Sequence, residues 1–180
     1  NKVIDCLSKH MSFLDRKIEL VILTHAHDDH MAGLIDVLKR YKVESFLSNG
    51  IDPGTDTYRV LEKLVGGSIG KAYISSSVTR IGNSVMYLDI LNRLGSNSTD
   101  INSTSVVTLL HFRNYKALLT ADIQPSDITE LVKELKNIQI NKVNYIKIPH
   151  HGSKNGLTRE LLEIVSPELA VVSVGKNNWG

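Results

Sequence analysis

The chain has 180 residues, 42% of them hydrophobic, with 21 basic against 19 acidic side chains and a net charge of +2. That length and composition suit one domain with a real core and exclude a disordered tail. The dispersed charge argues against a dedicated nucleic-acid module, no apolar stretch approaches the ~20 residues of a spanning helix, and a single cysteine, Cys6, excludes an internal disulfide and a cysteine-based zinc site.

In chain order, residues 3–14 place Ile4, Leu7, Met11 and Leu14 on one helical face. Cys6 lies among these apolar residues, which predicts a buried, inert thiol. The branched run 18–24 reads as a buried strand. Helical spacing resumes over 31–41 through Leu34, Ile35 and Leu38. Residues 43–48 read as a strand, 49–55 as a turn-rich loop, and 56–66 as a helix ending on Gly66 and Gly67. Segments 71–77 and 84–91 alternate like strands, and 92–105 is a polar loop. Residues 106–112 and 116–122 suit a hairpin. A helix is expected over 125–137, with Pro125 near its start and Ser126 as its cap. A strand over 142–149, a helix over 157–165 and a strand over 168–175 complete the chain. This alternation predicts a mixed α/β fold with helices covering sheet.

The chemistry concentrates in "HAHDDH", residues 25–30. It follows a buried strand, where α/β proteins place their sites. His25 and His27 are two apart and point to one side of extended backbone. Asp29 and His30 follow as the chain turns into a helix. Imidazole with carboxylate suits zinc, manganese or iron. Two sets of ligands in one loop suit two ions ~3.5–4 Å apart, which need a bridging carboxylate and a further histidine. Asp122 ends the strand "KALLTAD", and His150 and His151 end the strand "NYIKIP". Asp122 alone would also suit a helix cap, and one of the two adjacent histidines suffices as a ligand. Gly33 and Gly152 allow close backbone approach. His10 on its helix and His111 inside its strand are read as ordinary structural residues.

The pattern resembles the H-x-H-x-D-H signature of the metallo-β-lactamase superfamily. With "LLTADI", "IKIPHHGSKNG" and "AVVSVGKNN" it looks like one branch, the hydrolase domain of the ComEC family of DNA-internalisation competence proteins and their free-standing relatives. The resemblance implies a four-layer αββα sandwich of two mixed sheets, with metals at one edge. It implies a metal-dependent hydrolase of phosphodiesterase or nuclease type, with DNA as substrate and two divalent ions, zinc or manganese, as cofactors. His25 and His27 would hold one ion, Asp29 and His30 the other, and Asp122 would bridge. His150 or His151 would complete the second site. Asp29 and Asp122 are the candidate catalytic carboxylates, with Asp28 as a further proton acceptor. Ser153, Lys154 and Asn155 would hold a phosphate, and Lys176, Asn177 and Asn178 would reach the same edge.

The chain departs from the family where many members carry a third-motif histidine; here Asn102 stands. That removes a nitrogen ligand and makes Asn102 a candidate substrate contact. The opening "NKVID" lacks an "LDGG"-like segment, and the sequence stops at Trp179-Gly180. The expectation is therefore one hydrolase domain, 1–180, incomplete at both ends and cut from a larger protein. An attached membrane channel would put it on the outer face of the cytoplasmic membrane. Oligomeric state is not legible. The competing expectations are hydrolysis of a small ester, thioester or lactam, or a non-catalytic structural domain.

Overall fold

The computed structural model describes residues 2–91, 100–154 and 156–175. They cluster into two compact units, Asn1–Ser77 and Val78–Gly180.

The first unit holds α1 (Lys2–His10), β1 (Lys17–Leu23), α2 (Asp28–Arg40), β2 (Lys42–Ser48), α3 (Asp56–Ser68) and β3 (Lys71–Ile74). Its strands pair in the order β1-β2-β3, all parallel, with Val21 opposite Phe46 and Phe46 opposite Ala72. Parallel neighbours need a crossover, and α2 and α3 supply it. The two helices pack together, and α1 packs on α2. Their apolar faces meet the sheet in a core of Val21, Leu23, Met31, Val37, Val43, Phe46 and Leu61. Thr55 caps α3 by accepting from the Tyr58 amide.

The second unit holds β4 (Arg80–Gly82), β5 (Met86–Leu91), β6 (Val107–Phe112), β7 (Tyr115–Leu119), α4 (Pro125–Asn137), β8 (Tyr145–Lys147), α5 (Arg159–Val165) and β9 (Leu169–Val171). One six-stranded sheet runs β4-β5-β6-β7-β8-β9. It is an antiparallel meander as far as β7 and parallel from β7 to β9, with α4 and α5 as crossovers. Leu109, Leu118 and Ile146 lie side by side on adjacent strands and form the core with Ile128, Leu131 and Leu135 of α4 and Leu161 and Val165 of α5.

The expected α/β elements are present, with several corrections. The first sheet is parallel rather than mixed among its described strands. The first helix stops at His10, so Phe13 and Leu14 are 82% and 86% exposed instead of extending its apolar face. Cys6 is exposed, because it lies off the face that buries Ile4. Residues 75–77 form a 3-10 turn, and β4 is an additional short strand. The cap of α4 is Gln124 rather than Ser126. Its side chain accepts from the Asp127 amide while Asp127 accepts from the Gln124 amide, a reciprocal box that puts Pro125 at the first helical position. Part of the expected loop, 92–99, lies outside the described residues.

Candidate functional site

In the first unit, β1 ends at Leu23 and α2 begins at Asp28, so His25 and His27 sit on the connection between them. His27 keeps extended backbone (φ −88°, ψ 150°). Its carbonyl accepts from the amides of His30 and Met31, each at 3.0 Å, which starts the helix. Three imidazoles gather there. The His25 ring centroid is 4.9 Å from that of His27 and 4.1 Å from that of His30. His25 is fully buried, and its Nδ1 lies 3.1 Å from the Thr24 hydroxyl, which fixes the ring. Asp28 and Asp29 are exposed in the first turn of α2, where a helix end favours negative charge. Asp29 Oδ2 lies 3.6 Å from His30 Nε2. Imidazole nitrogens beside a carboxylate are the donor set of a borderline divalent ion.

In the second unit, β7 ends at Leu119 and β8 at Lys147, and the loops after them carry Asp122, His150 and His151. Both loops use left-handed backbone, at Ala121 (φ 51°), His150 (φ 46°), His151 (φ 54°) and Gly152 (φ 77°). A Cβ at Gly152 would meet Val172 Cγ1 at 2.9 Å, so a side chain there would have to displace Val172 as well as adopt a strained backbone. Asp122 is 3% exposed. Its Oδ2 lies 2.9 Å from His151 Nε2. His151 Nδ1 lies 2.7 Å from the Ser173 carbonyl, which only accepts, so Nδ1 carries a proton. With Nδ1 committed to Ser173, Nε2 is the ring nitrogen that faces the carboxylate. A carboxylate oxygen and an imidazole nitrogen facing each other at 2.9 Å are a donor set that a proton or a divalent ion can occupy.

His150 is turned differently. Its ring centroid is 6.4 Å from that of His151, and its Nδ1 lies 3.4 Å from Gln124 Nε2 at the start of α4. The second unit thus brings Asp122 and His151 together and leaves His150 against Gln124.

Sequence reasoning missed Lys147. Its Nζ donates to the Ala121 carbonyl at 2.9 Å, to Asp122 Oδ1 at 3.3 Å and to the Ile148 carbonyl at 3.4 Å. The available signal was a lysine inside the apolar run "YIKIP", three residues before the paired histidines.

Asn102 sits in a 3-10 turn, with its Oδ1 buried and without a hydrogen-bond partner among the described residues. Ser105 of the same segment accepts from the Asp122 amide at 3.4 Å. Ser153 and Lys154 are exposed beside the histidines. Asn155, Lys176, Asn177 and Asn178 lie outside the described residues. His10 is exposed on α1. His111 lies in β6, stacked on Tyr87 at 4.4 Å and 3.1 Å from Asp89, as part of a different cluster.

Residues 9–54, which include the histidine loop, match the metallo-beta-lactamase superfamily. The chain is 26% identical over 167 residues to ComE operon protein 3 of Bacillus subtilis, covering 91% of this chain and 21% of that protein. It is 24% identical over 163 residues to Recombination protein 2 of Haemophilus influenzae, covering 90% of this chain and 18% of that protein. The chain thus spans about a fifth of the length of these relatives. In fold it is similar to CmlA, a diiron beta-hydroxylase from Streptomyces venezuelae, with a TM-score of 0.57 at 16% identity, over 87% of this chain and 35% of that one. The resemblance read from the motifs and the α/β fold expected from it are both borne out.

Proposed function

We propose that this chain is the metal-dependent hydrolase part of a DNA-uptake protein and that it cleaves phosphodiester bonds of DNA. The observation that carries the reading is the facing pair of Asp122 Oδ2 and His151 Nε2, 2.9 Å apart, together with the superfamily match over the histidine loop. Similarity to a ComE operon protein and a recombination protein supports DNA as the substrate class.

In this reading His25 and His27 would hold one divalent ion and Asp29 and His30 a second, with Asp122 as a further carboxylate ligand. His151, rather than His150, completes the set. When bound, such ions lower the pKa of water toward ~7 and neutralise charge developing on a phosphoryl centre. The chain's own groups do the rest. Thr24 fixes the orientation of the His25 ring. The Ser173 carbonyl holds the His151 proton on Nδ1 and leaves Nε2 as the donor. Asp28, exposed at the start of α2, would serve as a proton acceptor. Ser153, Lys154 and Asn102 contact the phosphate backbone, Lys154 as a point charge. A membrane-channel partner and an extracytoplasmic location belong to the same reading, through the longer relatives.

The test is cleavage of single-stranded DNA with manganese, zinc, magnesium or iron and with EDTA; iron is included because the fold neighbour is a diiron enzyme. Cleavage that EDTA and Asp29→Ala both abolish is expected. Hydrolysis of a small ester, thioester or lactam without DNA turnover would replace the nuclease with a small-molecule hydrolase. Neither metal binding nor turnover would leave a structural domain.

A further inference from the structure

We propose that Lys147 is a positioning residue that holds Oδ1 of Asp122 and thereby reserves Oδ2, with His151 Nε2, for a metal ion. The proposal rests on the metal reading above and adds to it the division of labour between the two carboxylate oxygens.

Lysine has three donors, and three acceptors surround Nζ: the carbonyls of Ala121 and Ile148 and Oδ1 of Asp122. Two of the three are main-chain atoms. Ala121 is itself tied down, since its carbonyl also accepts from the His150 amide at 3.1 Å. Lys147 sits in β8 in register with Leu119 of β7, so its stem leaves a fixed strand. The side chain is 19% exposed. The ammonium is therefore held by the backbone independently of Asp122, and these contacts oppose its expulsion by the like charge of a cation arriving at Oδ2. A carboxylate with both oxygens open chelates one ion or spreads over two. With Oδ1 held by Lys147, Oδ2 is the oxygen that faces His151 Nε2, and the lysine charge balances Oδ1.

The contrary case is a lysine that merely fills an empty metal position and leaves when the ion enters. The two cases separate in the wild-type chain, labelled with nitrogen-15 at lysine and histidine and titrated with zinc. The protected Lys147 ammonium resonance, assigned by through-bond correlation to its own backbone amide, is expected to persist at full zinc occupancy while the His151 ring signals move. Loss of the ammonium resonance together with movement of His151 overturns the proposal and leaves the metal site standing. Zinc that binds nowhere and moves neither signal removes the metal reading and this proposal with it. As a second measurement, Lys147→Gln loaded with manganese is expected to change the spin-coupled spectrum of the bound pair. An unchanged spectrum with only a lowered melting temperature would make the lysine structural, against the proposal.

Discussion

The amide of His150 donates to the carbonyl of Ala121 across 3.1 Å, and both residues hold left-handed backbone, at φ 46° and 51°. The bond joins the loop that carries Asp122 to the loop that carries His151. Left-handed backbone costs a residue with a Cβ about 1–2 kcal/mol, and here it is spent beside the candidate ligands, where strain is commonly stored. Ala121→Gly should therefore raise stability by up to ~1 kcal/mol, the relief being partly offset by glycine's greater freedom in the unfolded chain. Ala121→Val should lower it, since a branched residue tolerates positive φ poorly. Urea midpoints of the two variants check the sign. Destabilisation by glycine would show that the left-handed turn is not a source of strain.

The two adjacent histidines should separate cleanly. His151 faces Asp122 and His150 faces Gln124. His151→Ala should weaken metal binding by more than ~10-fold, the scale of losing even an outer-shell partner, whereas His150→Ala should leave metal content near wild type. Metal analysis after dialysis against a weak chelator reads both. Equal losses in the two variants would contradict the assignment of His151.

His111 carries a pH dependence remote from the candidate ligands in sequence. Burial holds its imidazole pKa below the ordinary value; Asp89 opposes this, while Lys116 and Arg80 reinforce it. Tyr87 stacks on the ring. With the native pKa depressed, the unfolded chain takes up the proton first as pH falls through ~6.5, so this contribution to stability is present above that pH and is lost below it. Melting temperature should fall between about pH 7 and about pH 5, and His111→Gln should flatten that part of the curve. Parallel curves for the two proteins would remove His111 as the cause.

Legibility in the sequence followed the range of the forces involved. The elements set by local periodicity were readable: α2 from Met31, Leu34, Ile35 and Leu38, and the β6–β7 hairpin from its apolar runs around Arg113 and Asn114. The histidine loop was readable because its ligand types lie within six residues. What depended on contacts distant in sequence was not. The order β7-β8-β9 arises from crossovers through α4 and α5, and no spacing announces it. Lys147 meets Asp122 across 25 positions, so on its own strand it looked like an ordinary polar residue. The Gln124 cap was missed because glutamine is a rare cap, chosen here by its exchange with Asp127. Cys6 was misread because apolar neighbours in sequence are not neighbours around a helix.

The core beneath Asp122 gives the last prediction. Leu118 is fully buried in β7, between Leu109 of β6 and Ile146 of β8, four residues before the carboxylate. Leu118→Ala removes packed methyl groups from a site held on both sides by strands, so little collapse can fill the cavity. The expected cost is about 2–5 kcal/mol. Leu14, 86% exposed, is the control, and its alanine variant should stay within about 0.5 kcal/mol of wild type. Denaturant titration measures both. A Leu118→Ala variant as stable as Leu14→Ala would mean that β7 is not packed as described, and that the strand delivering Asp122 owes its position to hydrogen bonds rather than to the core.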